Sequence, residues 1–441
     1  MTALIIFAIL TVLLATGMPV SIALGLTVFS FLFAFTNIPM DSIALKLFTG
    51  IEKFEIMAIP FFILAGNFLT HGGVARRMIA FATSMVGHWH GGMGLAAVVA
   101  CALFAAISGS SPATVMAVGS IMIPAMVRMG YPPQFAVGPV AAAGGLGILI
   151  PPSIVMVMYA VATSGMLATG PDGETIFSPS IGQIFIAGVV PGLILATMYA
   201  VTTVWRAWKN GYPRLPRAAW GERFTAFRKS VWGLLLIVII MGGIYGGIFT
   251  PTEAAAVSAV YAFVIAVFVY KDIRIRDVPR VLLTSAAMSA MLLYIITNAV
   301  MFAFILTSEQ IPQQMSDWIV SLGFGKIGFL LMVNVMLLVI GMVMEPSAII
   351  LIMAPILYPI AVKLGVDPIH FGIILIVNME IGLATPPVGL NLYVGSAISK
   401  LGLTEVSKAV MPWLLTALLF LMIITYVPEI TLILPRMMGM M

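Results

Sequence analysis

The chain has 441 residues, of which 61% are hydrophobic and only 8% are charged. Its mean hydropathy is +1.15, which excludes an ordinary water-soluble domain and favours a membrane protein with many spans. The 21 basic residues outnumber the 16 acidic ones, and we interpret this excess as a signal of membrane topology rather than of nucleic-acid binding.

Apolar segments follow one another along the whole chain. A membrane helix needs about 20 apolar residues, so we expect about 11 to 13 membrane elements. The first segment has no basic residues before its apolar run, which predicts a retained helix rather than a cleaved signal peptide. The candidate segments are residues 3–36, 56–70, 78–107, 112–127, 135–164, 183–205, 231–249, 251–270, 282–307, 328–343, 347–362, 369–399 and 410–435.

Two basic loops set the predicted topology. Residues 205–230 carry seven Lys and Arg residues against one acid, Glu222, and residues 271–280 carry four more basic residues. Basic loops remain on the cytoplasmic side of the membrane, so we predict that both loops are cytoplasmic. The segment between them then forms two helices, out and back, with Pro251 near the far turn.

One sequence pattern occurs twice, at an offset of 235 residues. GILIPPSIVM (147–156) matches GLATPPVGLN (382–391), and the register holds without a gap between residues 104–164 and 339–399. The argument rests on Pro and Gly, because these residues set the shape of the backbone. The coinciding pairs are Pro124 and Pro359, Gly130 and Gly365, Pro133 and Pro368, Gly147 and Gly382, Pro151 and Pro386, and Pro152 and Pro387.

In each copy of the pattern, the sequence predicts a hairpin of short helices, followed by a helix that is interrupted at the Pro-Pro pair. Proline inside a helix removes a backbone donor and is unfavourable by about 3 kcal/mol. The segments around ISGSSP (107–112) are too short to be confident spans, so we predict a re-entrant hairpin with a polar tip; the second tip lies at residues 344–347. Interrupted segments at matching positions of two halves indicate a secondary-transporter site.

Broken helices also suggest what such a site binds. Unwound carbonyl groups and Ser or Thr hydroxyls are oxygen ligands that suit Na+. The N-termini of half-helices present unpaired N–H groups and a partial positive charge, which attract an anion. One geometry can therefore hold a cation and a carboxylate together.

At these positions the sequence resembles the large membrane subunit of tripartite ATP-independent periplasmic (TRAP) transporters. The resemblance runs nearly end to end, and its motifs are specific as a set. The segments that carry it are SGSSPATVMAVGSIMIP (108–124), GGLGILIPPSIVMVMYA (144–160), GIFTPTEAAAV (247–257), PILYPIAVKLGVDPIHFGI (355–373) and NMEIGLATPPVGLNLYV (378–394).

The resemblance implies an all-α polytopic membrane protein with two inverted repeats, re-entrant helical hairpins and Pro-Pro-broken helices, working as an elevator-type transporter. It implies sodium-coupled import of small organic anions, either four-carbon dicarboxylates or, as the alternative, sialic acid or another sugar acid. The implied partners are a small four-helix membrane subunit and a soluble periplasmic substrate-binding protein. Na+ is the expected coupling ion, with no tightly bound cofactor, and the expected location is the cytoplasmic (inner) membrane of a bacterium or archaeon.

We divide the chain into five parts on this basis. Residues 1–90 are predicted to form the scaffold helices of the first repeat, and residues 91–170 the first half of the transport core, with its re-entrant hairpin and broken helix. Residues 171–325 are connecting and scaffold helices with the cytoplasmic basic loop 205–230. Residues 326–405 form the second half of the core, and residues 406–441 the C-terminal helix.

Candidate substrate contacts lie at the first hairpin tip and beside the two breaks. A serine at a tip is also a favoured helix cap, so the tip serines have a structural alternative. An amide in an apolar run also has a structural alternative, because it can form hydrogen bonds between helices. The predicted substrate-binding residues are Ser108, Ser110, Ser111, Pro152, Ser153, Pro387 and Asn391.

Candidate sodium ligands combine hydroxyl, carbonyl and carboxylate oxygens. Glu345 directly precedes Pro346, so it is either an ion ligand or a favourable negative charge at a helix start. Glu380 is a second acid within an apolar run, and ionisable groups inside a membrane are functional candidates. The predicted sodium-binding residues are Ser110, Gly145, Gly147, Glu345, Gly382 and Thr385.

Three other functions compete with this prediction. A standalone sodium/anion symporter of related architecture would need no binding protein. An intramembrane hydrolase is suggested only by the loop ISGSSP, and no histidine in the sequence pairs with its serines by a recognisable rule. An ATP-driven pump is disfavoured, because the sequence has no phosphate-binding G-x-x-x-x-G-K-[ST] loop. We therefore predict a transporter subunit and not an enzyme.

Overall fold

The computed structural model describes residues 2–36, 39–321, 323 and 325–441, and these are almost entirely helical. Within these ranges, nine helices are long and apolar enough to cross a membrane, and shorter apolar helices accompany them. The predicted class, an all-α polytopic membrane protein, is confirmed.

The N-terminal helices are interrupted at glycine and proline. Gly17, with a φ of +81°, and Pro19 divide the apolar run 3–36 into two helices. A 3-10 turn at Phe54–Met57 leads into the fourth helix. The helices are α1 (Thr2–Ala15), α2 (Val20–Phe35), α3 (Met40–Thr49), α4 (Ala58–His71) and α5 (Val74–Val86).

The first hairpin and the first broken helix follow the predicted pattern. Gly109, with a φ of +59°, ends one helix, and the next begins two residues later. The backbone between Leu149 and Ile154 is not helical, and the Pro151–Pro152 peptide bond is cis. The helices are α6 (Gly92–Ser108), α7 (Ser111–Arg128), α8 (Pro133–Ala143), α9 (Leu146–Leu149) and α10 (Ile154–Thr163).

A small antiparallel hairpin separates the first half from the connecting helices. Its strands pair Leu167 with Phe177 and Thr169 with Thr175, and the sequence had not predicted them. The strands and following helices are β1 (Leu167–Thr169), β2 (Thr175–Phe177), α11 (Ile181–Lys209), α12 (Trp220–Tyr245), α13 (Pro251–Val264, continued by a π-turn to Val269) and α14 (Val278–Ser308).

The second half repeats the hairpin and the broken helix. The segment between Leu383 and Leu390 is not helical, and the Pro386–Pro387 bond is cis. The predicted C-terminal helix is in fact two helices, which are separated before Glu429. The helices are α15 (Ile311–Ser321), α16 (Lys326–Gly341), α17 (Pro346–Lys363), α18 (Pro368–Leu383), α19 (Leu390–Ser399), α20 (Leu403–Tyr426) and α21 (Glu429–Met437).

Burial separates central helices from peripheral ones. The comparison uses an apolar window of 18 residues in each membrane-spanning segment. In this window, 94% of the residues are buried in Pro133–Thr163 and 83% in Pro346–Lys363, but only 22% in Trp220–Tyr245. The first broken helix and the returning arm of the second hairpin therefore form the protein interior, whereas α12 lies at the periphery.

A lysine joins the N-terminal helices to the end of the first broken helix. The Lys53 ammonium donates to the carbonyl oxygens of Ser164 at 3.0 Å and Val161 at 3.5 Å. These are among the last carbonyls of α10, where a positive charge is favourable. Burial lowers the pKa of Lys53, and the nearby Glu55 raises it to a smaller extent.

The linkers after the two hairpins contact segments on either side of α11 in the chain. The Tyr131 hydroxyl, just after the first hairpin, donates to the carbonyl of Pro213, which follows the C-terminal end of α11. Gly365, just after the second hairpin, packs against Pro171 in the β1–β2 turn, which precedes the N-terminal end of α11. The helix between these two segments has 29 residues and is about 43 Å long.

The two broken helices pack against each other at Gly372. A Cβ at this position would lie 2.4 Å from Cε1 of Tyr159. The Tyr159 ring is fully buried, and its hydroxyl donates to the carbonyl of Pro368 at 2.8 Å. We expect Gly372→Ala to destabilise the protein by about 1–3 kcal/mol, because the ring has no free space into which to move. The measurement is the thermal unfolding midpoint of the purified protein in detergent.

Gly242→Ala is the matched control for this substitution. Gly242 lies in α12, and a Cβ there would have no atom within 4 Å. Alanine favours the helix over glycine, so the control should keep or slightly raise the unfolding midpoint. Equal midpoints for the two variants would contradict the close packing of α18 on α10.

Candidate functional site

The first hairpin tip is held together by hydroxyl groups. The hydroxyls of Ser108 and Thr114 lie 2.8 Å apart, and Thr114 also donates to the carbonyl of Ser110 at 2.8 Å. Ser108 and Thr114 are buried. The backbone turn between the two helices is therefore fixed by side chains of the helices themselves.

Ser110 occupies the N-cap position of α7, but its side chain makes no capping hydrogen bond. Ser110 is partly exposed, whereas Ser111 is buried. The sequence had allowed a capping role for the tip serines, and at Ser110 this role is not observed. The N–H groups of Ser111 and Ala113 are thus uncapped at the tip beside the Ser110 hydroxyl, whereas Pro112 has no N–H and that of Thr114 donates to the Ser110 carbonyl.

The first hairpin tip packs directly on the first break. The backbone N–H of Ile154, which begins α10, contacts the Gly109 carbonyl at 3.4 Å. A Cβ at Gly147 would lie 2.6 Å from the Ser110 carbonyl oxygen, and one at Gly109 would lie 3.0 Å from that of Pro152. Glycine at both positions therefore permits close approach of the two backbones.

Ser153 closes the gap within the first broken helix. Its hydroxyl donates to the carbonyl of Ile148 at 2.7 Å and accepts from the N–H of Met156 at 3.4 Å. Ser153 is fully buried. It thus connects α9 to α10 across the Pro151–Pro152 break, which is a structural role for a residue predicted to contact substrate.

The second hairpin tip is capped by a carboxylate. Glu345 occupies the N-cap position of α17, and its Oε2 accepts from the N–H groups of Ser347 at 3.0 Å and Ala348 at 3.3 Å. Its Oε1 accepts from the Ser347 hydroxyl at 2.8 Å. Of the two roles that the sequence left open for Glu345, the structure shows the negative group at a helix start.

The second break repeats the contact of the first. The N–H of Gly389 lies 3.4 Å from the carbonyl of Met342 in the second hairpin turn. Gly389 and Ile154 are both the second residue after a Pro-Pro pair. Gly382 packs on Gly341, since a Cβ built on Gly382 would lie 2.8 Å from the Gly341 carbonyl oxygen.

Two other predicted residues of the second break differ in their surroundings. The hydroxyl of Thr385 donates to the carbonyl of Ile381 at 2.6 Å, within its own helix turn. Pro387 is exposed, whereas the corresponding Pro152 is buried. The two breaks are therefore similar in backbone contacts but different in accessibility.

A buried amide joins the two halves. Asn391, at the start of α19, donates to the Ser111 hydroxyl at 2.8 Å and to the Ala141 carbonyl at 3.1 Å. Its own oxygen lies 2.9 Å from the Ser111 hydroxyl, and both residues are fully buried. The structure thus shows interhelical hydrogen bonding, the alternative to substrate contact that the sequence offered for Asn391.

Glu380 is a central residue that the predicted site set did not include. Its side chain is 1% exposed, and Oε1 accepts from the Tyr199 hydroxyl at 3.0 Å. Oε2 has no hydrogen-bond partner among the described residues. A Cβ at Gly145 would lie 2.4 Å from Cγ of Glu380. The offset of 235 residues relates these two positions, and this signal in the sequence could have pointed to their contact.

The predicted residues thus fall into two clusters. Ser108, Ser110, Gly147, Pro152 and Ser153 gather where the first tip meets the first break. Glu345, Gly382, Thr385 and Pro387 belong to the second tip and break, and Gly145 lies beside Glu380. The pair Ser111 and Asn391 links the first tip to the helix after the second break. This arrangement offers hydroxyls, carbonyls and one uncapped helix N-terminus to a small anion and a cation.

Comparison with known proteins gives a consistent family. The family described as "Tripartite ATP-independent periplasmic transporter, DctM component" matches residues 7–430. The chain is 67% identical over 440 residues, 100% of both chains, to the "C4-dicarboxylate TRAP transporter large permease protein DctM" of Rhodobacter capsulatus. It is 53% identical over 418 residues, 95% of both chains, to the protein of the same name from Pseudomonas aeruginosa.

A solved structure supports the fold. The crystal structure of the Alcanivorax borkumensis YdaH transporter superimposes with a TM-score of 0.59 over 88% of each chain. The sequence identity is 15%, so this likeness concerns the fold alone.

The matches extend through both hairpins and both broken helices. Members of this family are transporter permease subunits and not enzymes, and membership implies a small membrane subunit and a periplasmic binding protein as partners. The nine candidate spans in the described residues agree with a multi-pass protein of the bacterial inner membrane. The chain belongs to the DctM family of TRAP transporter large permease subunits.

Proposed function

We propose that this chain imports four-carbon dicarboxylates together with Na+, as the large permease subunit of a binding-protein-dependent TRAP transporter. The observation that carries the substrate class is 67% identity, over the full length of both chains, to a permease named for C4-dicarboxylates. Sialic acid or another sugar acid is the alternative substrate class, and a standalone symporter is the alternative mechanism.

We propose that the substrate carboxylate binds at the first hairpin tip. The N-terminus of α7 carries a partial positive charge, and its N-cap Ser110 leaves the first-turn N–H groups without a side-chain cap. At the second tip, the Glu345 carboxylate already accepts from the N-terminus of α17. A second negative charge there would be repelled, so the first tip is the more favourable place for an anion.

Na+ is proposed to bind where the tips meet the breaks. Gly147 lies against the Ser110 carbonyl, and Gly382 lies against the Gly341 carbonyl. Close backbone approach brings carbonyl oxygens together, and such oxygens in unwound segments coordinate Na+ in secondary transporters. The Ser110 hydroxyl, the Thr385 hydroxyl and the carbonyls near Gly145, Gly147 and Gly382 are the proposed ligands. Glu345 is proposed as a cap rather than as a ligand.

The arrangement of the two halves supports an inverted repeat and an elevator movement. The linker after the first hairpin contacts Pro213, which follows α11 in the chain, and the linker after the second contacts Pro171, which precedes it. The tips, the breaks and the Ser111–Asn391 pair connect the hairpins and broken helices to one another, which suits a transport core that moves as one body. Helices α2, α4, α13 and α14 pack on one another and are proposed as scaffold.

The first test is uptake by proteoliposomes that contain this chain, its small membrane subunit and its binding protein. We expect uptake of labelled succinate with an inward Na+ gradient, and little uptake with K+ at equal ionic strength. Preference for sialic acid would reject the proposed substrate class. Succinate uptake that needs no binding protein would favour the standalone symporter.

Ser110→Ala tests the sodium site. Hydrogen bonds and contacts to charged groups contribute about 1.5–3 kcal/mol, so we expect the Na+ concentration for half-maximal uptake to rise about tenfold. Ser120→Ala is the control, because Ser120 is an exposed serine on the same helix whose hydroxyl bonds to Ala117. An unchanged sodium dependence in Ser110→Ala would remove this residue from the site.

Glu345→Gln tests the capping role. Loss of the charged cap should lower stability by about 1 kcal/mol, while the rise of the unfolding temperature with added Na+ should remain. Glu253→Gln is the matched control, since Glu253 forms a capping box with Thr250 at the start of α13, outside the proposed site. If Na+ no longer stabilised Glu345→Gln but still stabilised the control, Glu345 would be a sodium ligand.

A further inference from the structure

A polar cleft of about 390 Å³ lies between three helix ends, away from the hairpin tips. It is formed by the start of α8, the end of α11 and the start of α20. The end of α11 leads into the basic segment 205–230, so positive-inside reasoning assigns the cleft to the cytoplasmic face. Its volume is in the range of small-molecule sites.

The floor of the cleft is aromatic and rigid. Trp413 is 1% exposed, and its indole N–H donates to the Thr203 hydroxyl at 2.9 Å. The centroid of Phe135 lies 4.6 Å from that of Tyr212 and 5.9 Å from that of Trp413. A Cβ at Gly138 would lie 2.4 Å from the Trp413 ring, so α8 packs closely against it. The cleft is therefore formed before any ligand binds, which reduces the entropy lost on binding.

Two cationic side chains line this floor. The Arg206 guanidinium lies 5.3 Å from the centroid of the Trp413 ring, a favourable cation–π arrangement that positions it. Lys408 projects from the first turns of α20. Across the described chain, neither side chain forms an ion pair with an acid. Glu405 also lines the cleft but is exposed, so the charged lining is two positive groups against one negative group.

The start of α8 adds donors to the same cleft. Its N-cap is Pro132, which has no side-chain capping group, and Gln134 lies at the opening. First-turn N–H groups at a helix start favour an anion. An arginine fork, an ammonium group and backbone donors together match the oxygens of a carboxylate or a phosphate.

We propose that this cleft is a second anion site, which binds a carboxylate or phosphate group at the cytoplasmic face. An anion held there would connect the first arm of the broken helix to α11 and α20. The group could belong to a free cytoplasmic anion or to the headgroup of an anionic phospholipid. Both sources share the same chemistry, and the experiment separates them.

The test uses the full-length protein in an uncharged detergent and follows its thermal unfolding midpoint. The free-anion probe is sodium phosphate, compared with NaCl at equal Na+ concentration, with choline chloride added to match the ionic strength. The lipid probe is a mixed micelle with phosphatidylglycerol, compared with one containing phosphatidylcholine. We expect at least one probe to raise the midpoint saturably. A response to phosphatidylglycerol alone identifies the lipid headgroup as the source.

Arg206→Gln and Lys408→Gln should each weaken the effective probe about tenfold, because each removes one charge-assisted contact. The controls are Arg217→Gln and Lys400→Gln, which remove exposed positive charges outside the cleft lining. Lys408 is exposed, so its variant should fold even if Arg206→Gln does not. No response to either probe, or equal weakening in the controls, would overturn the proposal. These assays contain no partner subunit, so they are independent of the proposed import activity.

Discussion

A membrane interior leaves backbone groups no water with which to bond, and this constraint explains the pairing of hairpins with broken helices. Each Pro-Pro break exposes polar backbone at depth. In the first half, the N–H of Ile154 faces the Gly109 carbonyl, and in the second, the N–H of Gly389 faces that of Met342. Each hairpin turn therefore satisfies part of the break beside it.

The two tips meet the same constraint with different chemistry. Ser110 and Glu345 are matching positions of the repeat, and both are N-caps of the returning helix. Glu345 neutralises its helix start with its own carboxylate, whereas Ser110 leaves its helix start uncapped. Matching helix starts thus carry different charges, and the carboxylate site that we propose lies at the one without a carboxylate cap.

The local features of this architecture could be predicted from the sequence, because Pro and Gly determine backbone shape by themselves. The two breaks, the turn at Gly109 and the helix start at Pro251 all lie where these residues occur. Partner choice could not be predicted. Ser111 and Asn391 are 280 residues apart, and their pairing depends on how the halves pack. The β1–β2 hairpin was missed because each strand has only three residues, and their sequences, LAT and TIF, do not alternate between apolar and polar residues.

Gly145 and Glu380 occupy matching positions of the two sequence copies, which are 235 residues apart, and they lie in contact. A Cβ at Gly145 would lie 2.4 Å from Cγ of Glu380, so the space between them admits one side chain and not two. The first copy has glycine there, and the second has a glutamate whose Oε1 is bound by Tyr199 of α11, a helix outside the repeated segments. The two matching positions therefore differ for a steric reason, because one side chain fills the space that they share.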